Sequence, residues 1–349
     1  MVELSLSKRK NKILKAIIRE HILTAEPIGS RTLAKKYDFG VSSATIRNEM
    51  SDLEDLELLK QPHTSAGRVP TDKGYRYYVD VLMEQKKIKP ADLQDSLSHF
   101  YEGKKGVKGI ISGMTSMLSH FTKYTTLISE PELQKSTINK LELIKVARKT
   151  LLIVLVTDSG VVNNKLVKID PDLNSRQLDY INNFLISKLR NKKLMALDDE
   201  FVDNLQEELL NRFSLSQKIF KILAGELEEI AAPADLQIFL GGTSYILDQP
   251  EFNDIQTLKE VLNILDHKDD LRKLIQNLPD EDIEVKIGQE NNIEAMKKCS
   301  IVYATYTLGD EAVGKIGVIG PTRMQYPRVI STVDFAADIL GQIISQLGR

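Results

Sequence analysis

The chain begins with apolar residues at helical spacing. In LSLSKRKNKILKAIIREHIL, Ile13, Leu14, Ile17, Ile18 and Ile22 fall on one stripe, with Ser5 or Ser7 placed to cap the start. TAEPIG breaks that helix, Ser30 is placed to cap RTLAKKY, and Gly40 in DFGVS permits a tight turn before the next helix. From Ser43 the helical pattern resumes through Ile46, Met50, Leu53 and Leu56. Leu58 and Leu59 start an extended piece, while Pro62, Gly67 and Pro70 exclude a helix from QPHTSAGRVPT. That stretch reads as a hairpin with its tip at HTSAGR, and Thr71 or Asp72 caps a further helix, KGYRYYVDVLMEQ.

Beyond Pro90 the pattern changes. ADLQDSLSHFYEG predicts a helix, GKKGVKG a loop, and ISGMTSMLSHF a second helix. INKLELIKVA and TLLIVLVTDSG, rich in β-branched residues, predict paired strands, with VVNNKLVKID as a third. Residues 174–231 return to helical spacing, as at Leu178, Ile181, Leu185 and Leu189. After LQIFLGGTSYIL and further helices through Gln276, strands recur at IEVKIG, CSIVYATYTLG and AVGKIGVIGP, and VISTVDFAADILGQIISQL closes the chain as a helix. Strands on both sides of a long helical block predict an α+β multidomain chain, one domain of which is interrupted by an insertion.

Composition narrows this picture. A chain of 349 residues is long for a single core, since domains usually hold about 100 to 200 residues. Hydrophobic residues at 42% and charged residues at 28% are the proportions of a soluble globular protein, which excludes wholesale disorder. No run approaches the roughly 18 apolar residues of a membrane helix, and MVELSLSKRKNK lacks the apolar block of a signal peptide, so a cytoplasmic protein without a membrane partner is expected. Cys299 is the only cysteine, which leaves no intrachain disulfide and no cysteine-based metal cluster. The net charge of −2 conceals an asymmetry: residues 1–90 carry 17 Lys and Arg against 12 Asp and Glu, the remainder 30 against 37. A basic head on an acidic body points to a polyanionic partner for the head.

Helix, helix, turn, helix, hairpin is the order of a winged helix-turn-helix, whose second helix enters the major groove of DNA. Ser42, Ser43, Thr45, Arg47 and Asn48 would then face base edges, while Ile46, Met50 and Leu53 hold the helix on its domain. Arg takes guanine bidentately and Asn takes adenine. At the hairpin tip, His63, Thr64, Ser65, Gly67 and Arg68 suit a wing lying along phosphates or in a minor groove. Arg31, Lys35 and Lys36 are candidate phosphate contacts, as are Lys8, Arg9, Lys10 and Lys12. Taken singly, a capped amphipathic helix, a solvent loop and solvated charges would account for the same residues; their ordered succession favours the DNA reading.

Enzymatic signals are poor. GDEAVGKI, from Gly309 to Ile316, nearly spells a phosphate-binding loop, yet Ile316 stands where a magnesium-binding Ser or Thr belongs, and a strand follows where a helix should open. GGTS, from Gly241 to Ser244, fits a strand-to-helix turn better than an anion nest. The histidines at 21, 63, 99, 120 and 267 lack ligand spacing, and Cys299 opens an apolar strand as a small hydrophobe. No metal, cofactor or catalytic residue is expected.

The stretch from EPIGSRTLAKKY through VSSATIRNEMSDLEDLELLKQPHTSAGRVPTDKGYRYYVD, with GGTSYILDQPEF, IGQEN and GKIGVIGPTRMQYPRVI, resembles the heat-inducible transcription repressors of the HrcA family. Glu57 departs from the family pattern, which commonly has Gly there. The resemblance implies a homodimeric repressor on an inverted-repeat operator of chaperone genes, kept active by the GroE-type chaperonin. It further implies a winged-helix head, at 1–83, and a GAF-like α/β body, at 110–170 and 276–349; between them the sequence itself places a linker helix and Gly/Lys loop at 84–109, which would let the heads swing. A mainly helical dimerisation domain, 171–275, would be inserted in that body. The rival expectations are a regulator gated by a small molecule in the GAF-like body, and an enzyme using Lys315 behind a DNA-binding head.

Overall fold

The computed structural model describes residues 6–63, 67–84, 106–132, 135–170, 172–212, 225, 236–308 and 311–347. The helix expected at ADLQDSLSHFYEG and most of the expected linker lie outside the described residues.

The first unit is built as the apolar spacing demands. Helix α1 (Lys8–Thr24) is capped by Ser7, whose hydroxyl accepts from the Lys10 amide, and buries Ile13, Leu14, Ile17, Ile18 and Ile22. Helix α2 (Ser30–Lys36) begins one residue earlier than a Ser30 cap would place it: Gly29 is the N-cap and no side chain caps the helix. The reason lies next door, where the amides and carbonyls of Ile28 and Arg68 pair at 2.9 Å in both directions and fix where the chain turns. Gly40 takes the left-handed conformation, φ 64°, before α3 (Ser43–Asp55). The hairpin is β1 (Leu59–Lys60) against β2 (Val69–Pro70), and Thr71 caps α4 (Asp72–Tyr77), which continues as a π-helical turn over Tyr78–Leu82.

The body is a five-stranded antiparallel sheet. Helix α5 (Gly106–Thr122) takes in the second half of GKKGVKG, expected as loop, and leads into β3 (Thr125–Ser129), a strand that the apolar pattern did not reveal. The chain then leaves the sheet for β4 (Ile138–Ala147), β5 (Thr150–Thr157) and β6 (Val162–Lys168), a separate meander. Helices α6 (Ser175–Leu189) and α7 (Asp199–Arg212) follow. The chain returns as β7 (Ile238–Gly241), then α8 (Ile255–Asp266), α9 (Lys268–Gln276), β8 (Glu284–Ile287), β9 (Cys299–Leu308), β10 (Glu311–Pro321) and α10 (Tyr326–Leu347). The large sheet has the order β7-β3-β10-β9-β8. Both faces are covered, so β9 is buried from Cys299 to Ala304: Val302, Ala304 and Tyr306 join the core shared with α5 and α10, while Ile301 and Tyr303 join that under α8 and α9.

The expected boundaries placed residues 138–168 with the body and 255–275 with the insert, whereas in the structure the first share a core with α6 and the second pack on the large sheet. Leu141, Leu143, Leu151, Ile153 and Leu155 share a core with Leu178, Ile181 and Leu185 of α6, apart from the large sheet. Val261, Ile264, Leu271 and Leu274 of α8 and α9 pack instead on Ile301, Tyr303 and Ile319 of the large sheet. Alternation along a strand identifies the strand but not the sheet it joins.

Glu57 occupies φ 61°, the left-handed region in which glycine is at ease. For an L-residue that conformation costs about 1–2 kcal/mol, against about 0.5–1 kcal/mol of extra chain entropy that a glycine loses on folding. Glu57→Gly is therefore expected to stabilise the protein by about 0.5 kcal/mol, seen as a higher urea midpoint with an unchanged m-value.

Candidate nucleic-acid interface

Helix α3 is held from beneath and open above. Ile46 and Leu53 are fully buried and Met50 nearly so, whereas Arg47 and Asn48, on the opposite side, are exposed. Ser42 is the N-cap: its hydroxyl accepts from the Thr45 amide at 3.2 Å and lies 3.1 Å from the Thr45 hydroxyl. Those two hydroxyls therefore organise the helix start, and one of their two protons and two lone pairs remain for a ligand. Ser43 is half-buried, and the exposed cation of this helix is Arg47.

Several cations singled out from the sequence have acidic partners. Arg9 reaches Glu49 at 3.5 Å and Lys10 reaches Asp52 at 2.9 Å, tying α1 to α3; Asp52 holds the Lys10 ammonium above its ordinary pKa. Lys36 meets the buried Glu20 carboxylate at 2.5 Å, beside a 2.8 Å bond from the Tyr37 hydroxyl. Lys36 is the main cause that holds the Glu20 carboxyl below the usual carboxylate range. Arg31 and Lys35 are exposed on α2.

At the hairpin, Thr64 and Ser65 lie outside the described residues, and His63 is exposed. The Arg68 guanidinium bonds Glu54 at the end of α3, Nε to Oε2 at 2.7 Å, so it braces the hairpin against the helix. Gly67 packs directly on the Ile28 carbonyl, leaving no room for a Cβ. Both residues thus have structural work in addition to any contact with a ligand. The signal for it lay in the pairing of Ile28 with Arg68, which no local pattern announces.

The other candidates are absorbed by packing. Lys315 lies within β10 and is buried, its ammonium bonding the Leu278 and Pro279 carbonyls beside Asp280. Two carbonyls and one carboxylate thus take up the three donors of this ammonium. Cys299 is fully buried and its thiol is pushed up to about 12 by burial. GGTS spans the end of β7 and a short 3-10 turn, Thr243–Ile246. Among the described residues no group of three or more His, Cys, Asp or Glu is arranged to hold a metal ion, and no helix is long and apolar enough to cross a membrane.

The four helices α1 to α4 form a head with one open polar helix face, attached to an α+β body. Comparison with known proteins makes this specific. The family model for the HrcA protein C-terminal domain matches residues 108–330. Heat-inducible transcription repressors HrcA from Symbiobacterium thermophilum and Clostridium tetani are similar: the first is 39% identical over 96% of this chain and 98% of its own, the second 40% over 99% and 97%. The chain belongs to the HrcA family of heat-inducible transcription repressors. A crystal structure described as a hypothetical protein at 2.2 Å resolution covers 98% of the chain and 100% of its own with a TM-score of 0.65 and 24% identity, a likeness of fold.

Gly67→Ala is expected to destabilise the protein by about 1–3 kcal/mol, because the added methyl must displace backbone. The check is the thermal midpoint, together with amide exchange at Ile28 and Arg68, which should quicken; an unchanged midpoint would show that the hairpin yields freely.

Proposed function

We propose that this chain acts as a homodimeric repressor that reads an inverted-repeat operator of chaperone genes through a winged helix-turn-helix head. The observation that carries the reading is α3, buried along Ile46, Met50 and Leu53 and exposed at Arg47 and Asn48. Arg47 and Asn48 are the base-reading pair, with Ser43 and the capping hydroxyls of Ser42 and Thr45 at the groove edge. Arg31 and Lys35 contact phosphates. Lys36 and Arg68 contribute through the carboxylates they already hold, as braces of α2 and of the hairpin. The wing tip at His63, Thr64 and Ser65, next to Gly67, lies along the adjacent backbone.

The five-stranded sheet between α5 with α10 and α8 with α9 supports a GAF-like body, and the small sheet with α6 and α7 is the insert. For the dimer contact we assign the outer face of that small sheet. Ile144, Leu152 and Leu166 stand side by side in register across β4, β5 and β6, as do Val156 and Val162 across β5 and β6. Leu166 is 63% exposed and Val162 57%, an apolar face on the side of the sheet away from α6. A second copy of the same face would cover it by two-fold symmetry, and two heads would then read two half-sites. Family membership supports dependence on the GroE-type chaperonin for the active state.

Fluorescence anisotropy on duplexes carrying the full repeat, one half-site or a scrambled sequence tests the DNA reading. Tight binding to the full repeat that weakens steeply with salt is expected. Arg47→Ala should lose about 1–3 kcal/mol of discrimination against a changed base. Lys35→Ala should weaken all three duplexes alike. Equal weak binding to all three, persisting with the chaperonin added, would overturn it. Leu166→Glu is expected to convert the dimer to monomers in sedimentation with an unchanged circular dichroism spectrum; a variant that remains dimeric would place the contact elsewhere.

A further inference from the structure

The head does not hang from its linker; it is bolted to the body by α4 and the end of α1. The Arg76 guanidinium bonds Glu290 through Nε at 2.8 Å and again through Nη2, which also bonds the Val285 carbonyl. Asp72 accepts from the Gln289 amide at 3.0 Å, and Gly288, at φ 52°, brings the body's backbone so close that a Cβ there would collide with the Asp72 carboxylate. From the other side, Arg323 of the body donates to the Ile22 carbonyl at the end of α1 at 3.1 Å, and to Gln249 at 3.1 Å, while its Nε meets Glu251. Between these clamps the Tyr75 ring lies 6.0 Å from that of Tyr326, and His21 bonds the Tyr75 hydroxyl at 2.7 Å. One continuous apolar core runs from Ile13 of α1 to Ile344 of α10.

The clamps leave the reading face alone. The ion pairs of α3 run to α1 and to the hairpin, through Glu49, Asp52 and Glu54, and Arg47 and Asn48 stay exposed in the docked pose. We infer that Arg76, with Asp72 and Arg323, positions the head rigidly on the body, so that docking at α4 sets the spacing at which the two heads of the dimer engage their half-sites. This rests on α3 being the DNA-reading helix. A rigid mount gives the second head a high effective concentration at one spacing and almost none at others, whereas a head on a free linker tolerates many. A planar guanidinium held bidentately is suited to that task, because it fixes direction as well as distance.

The test measures anisotropy of the full-length dimer on one half-site, on the native repeat, and on repeats lengthened by about half a helical turn, 5 base pairs. Wild type is expected to lose about 100-fold on the lengthened repeat relative to the native one. Arg76→Ala should keep the half-site affinity, which reports an intact head, while losing affinity for the native repeat and flattening the spacing penalty to about threefold. The pair Arg76→Glu with Glu290→Arg should recover part of the penalty. An Arg76→Ala variant with the wild-type spacing profile would overturn the inference, as would one that binds the native repeat more tightly, since the docked pose would then be the one that withholds the head. Failure of wild type to prefer the half-site over a scrambled duplex is a different result, and removes the DNA reading on which the inference rests.

Discussion

The shared apolar core between head and body is the constraint on which the remaining geometry depends. Ile13, Ile17, Leu33, Ile46 and Leu53 pack α1, α2 and α3 around each other, and the same cluster continues through Tyr75 into Tyr326, Val333 and Leu340 of the last helix. Burial of that seam is non-directional and fixes proximity rather than angle. The angle comes from the charges at its rim, where Arg76 and Arg323 reach from opposite sides for carboxylates and carbonyls that lie more than two hundred residues away along the chain.

The open face of α3 and the mounting face of the head are thereby separated. Helix α3 spends its apolar stripe on the core and its acidic residues on α1 and the hairpin, which leaves Arg47 and Asn48 facing outward. Helix α4 carries the opposite assignment, with Tyr75 buried and Arg76 turned to the body. Glu57 in a left-handed turn and Gly67 pressed on Ile28 show how tightly the hairpin between those helices is drawn.

Much of the head was legible because its elements follow local rules. The stripe of α3, the Ser42 cap and the Gly40 turn each depend on residues within a few positions. Partners that lie far apart were not legible. Arg68 reads as the cation of the wing by residue type, and only the fold reveals the Glu54 carboxylate beside it. Strand β3, the five residues TTLIS, is buried throughout and shows no polar–apolar alternation to register, yet it lies between β7 and β10 in the large sheet. The packing partner of the small sheet was not legible for a related reason: β4, β5 and β6 announce themselves as strands by period, while their separation from the large sheet is decided by which helix covers them. The family, by contrast, was legible from motifs spread over the chain, and the comparisons agree with it.

The central claim is that α3 reads DNA while the head stays mounted on the body. Hydrogen exchange of the full-length protein, with and without a duplex carrying the inverted repeat, tests it most directly. The account predicts slowed exchange at residues 42–48 and around the hairpin tip on binding, with α4 and the Gly288–Glu290 turn equally protected in both states. Protection of the body surface with none at α3, or loss of protection at α4 when DNA binds, would contradict it.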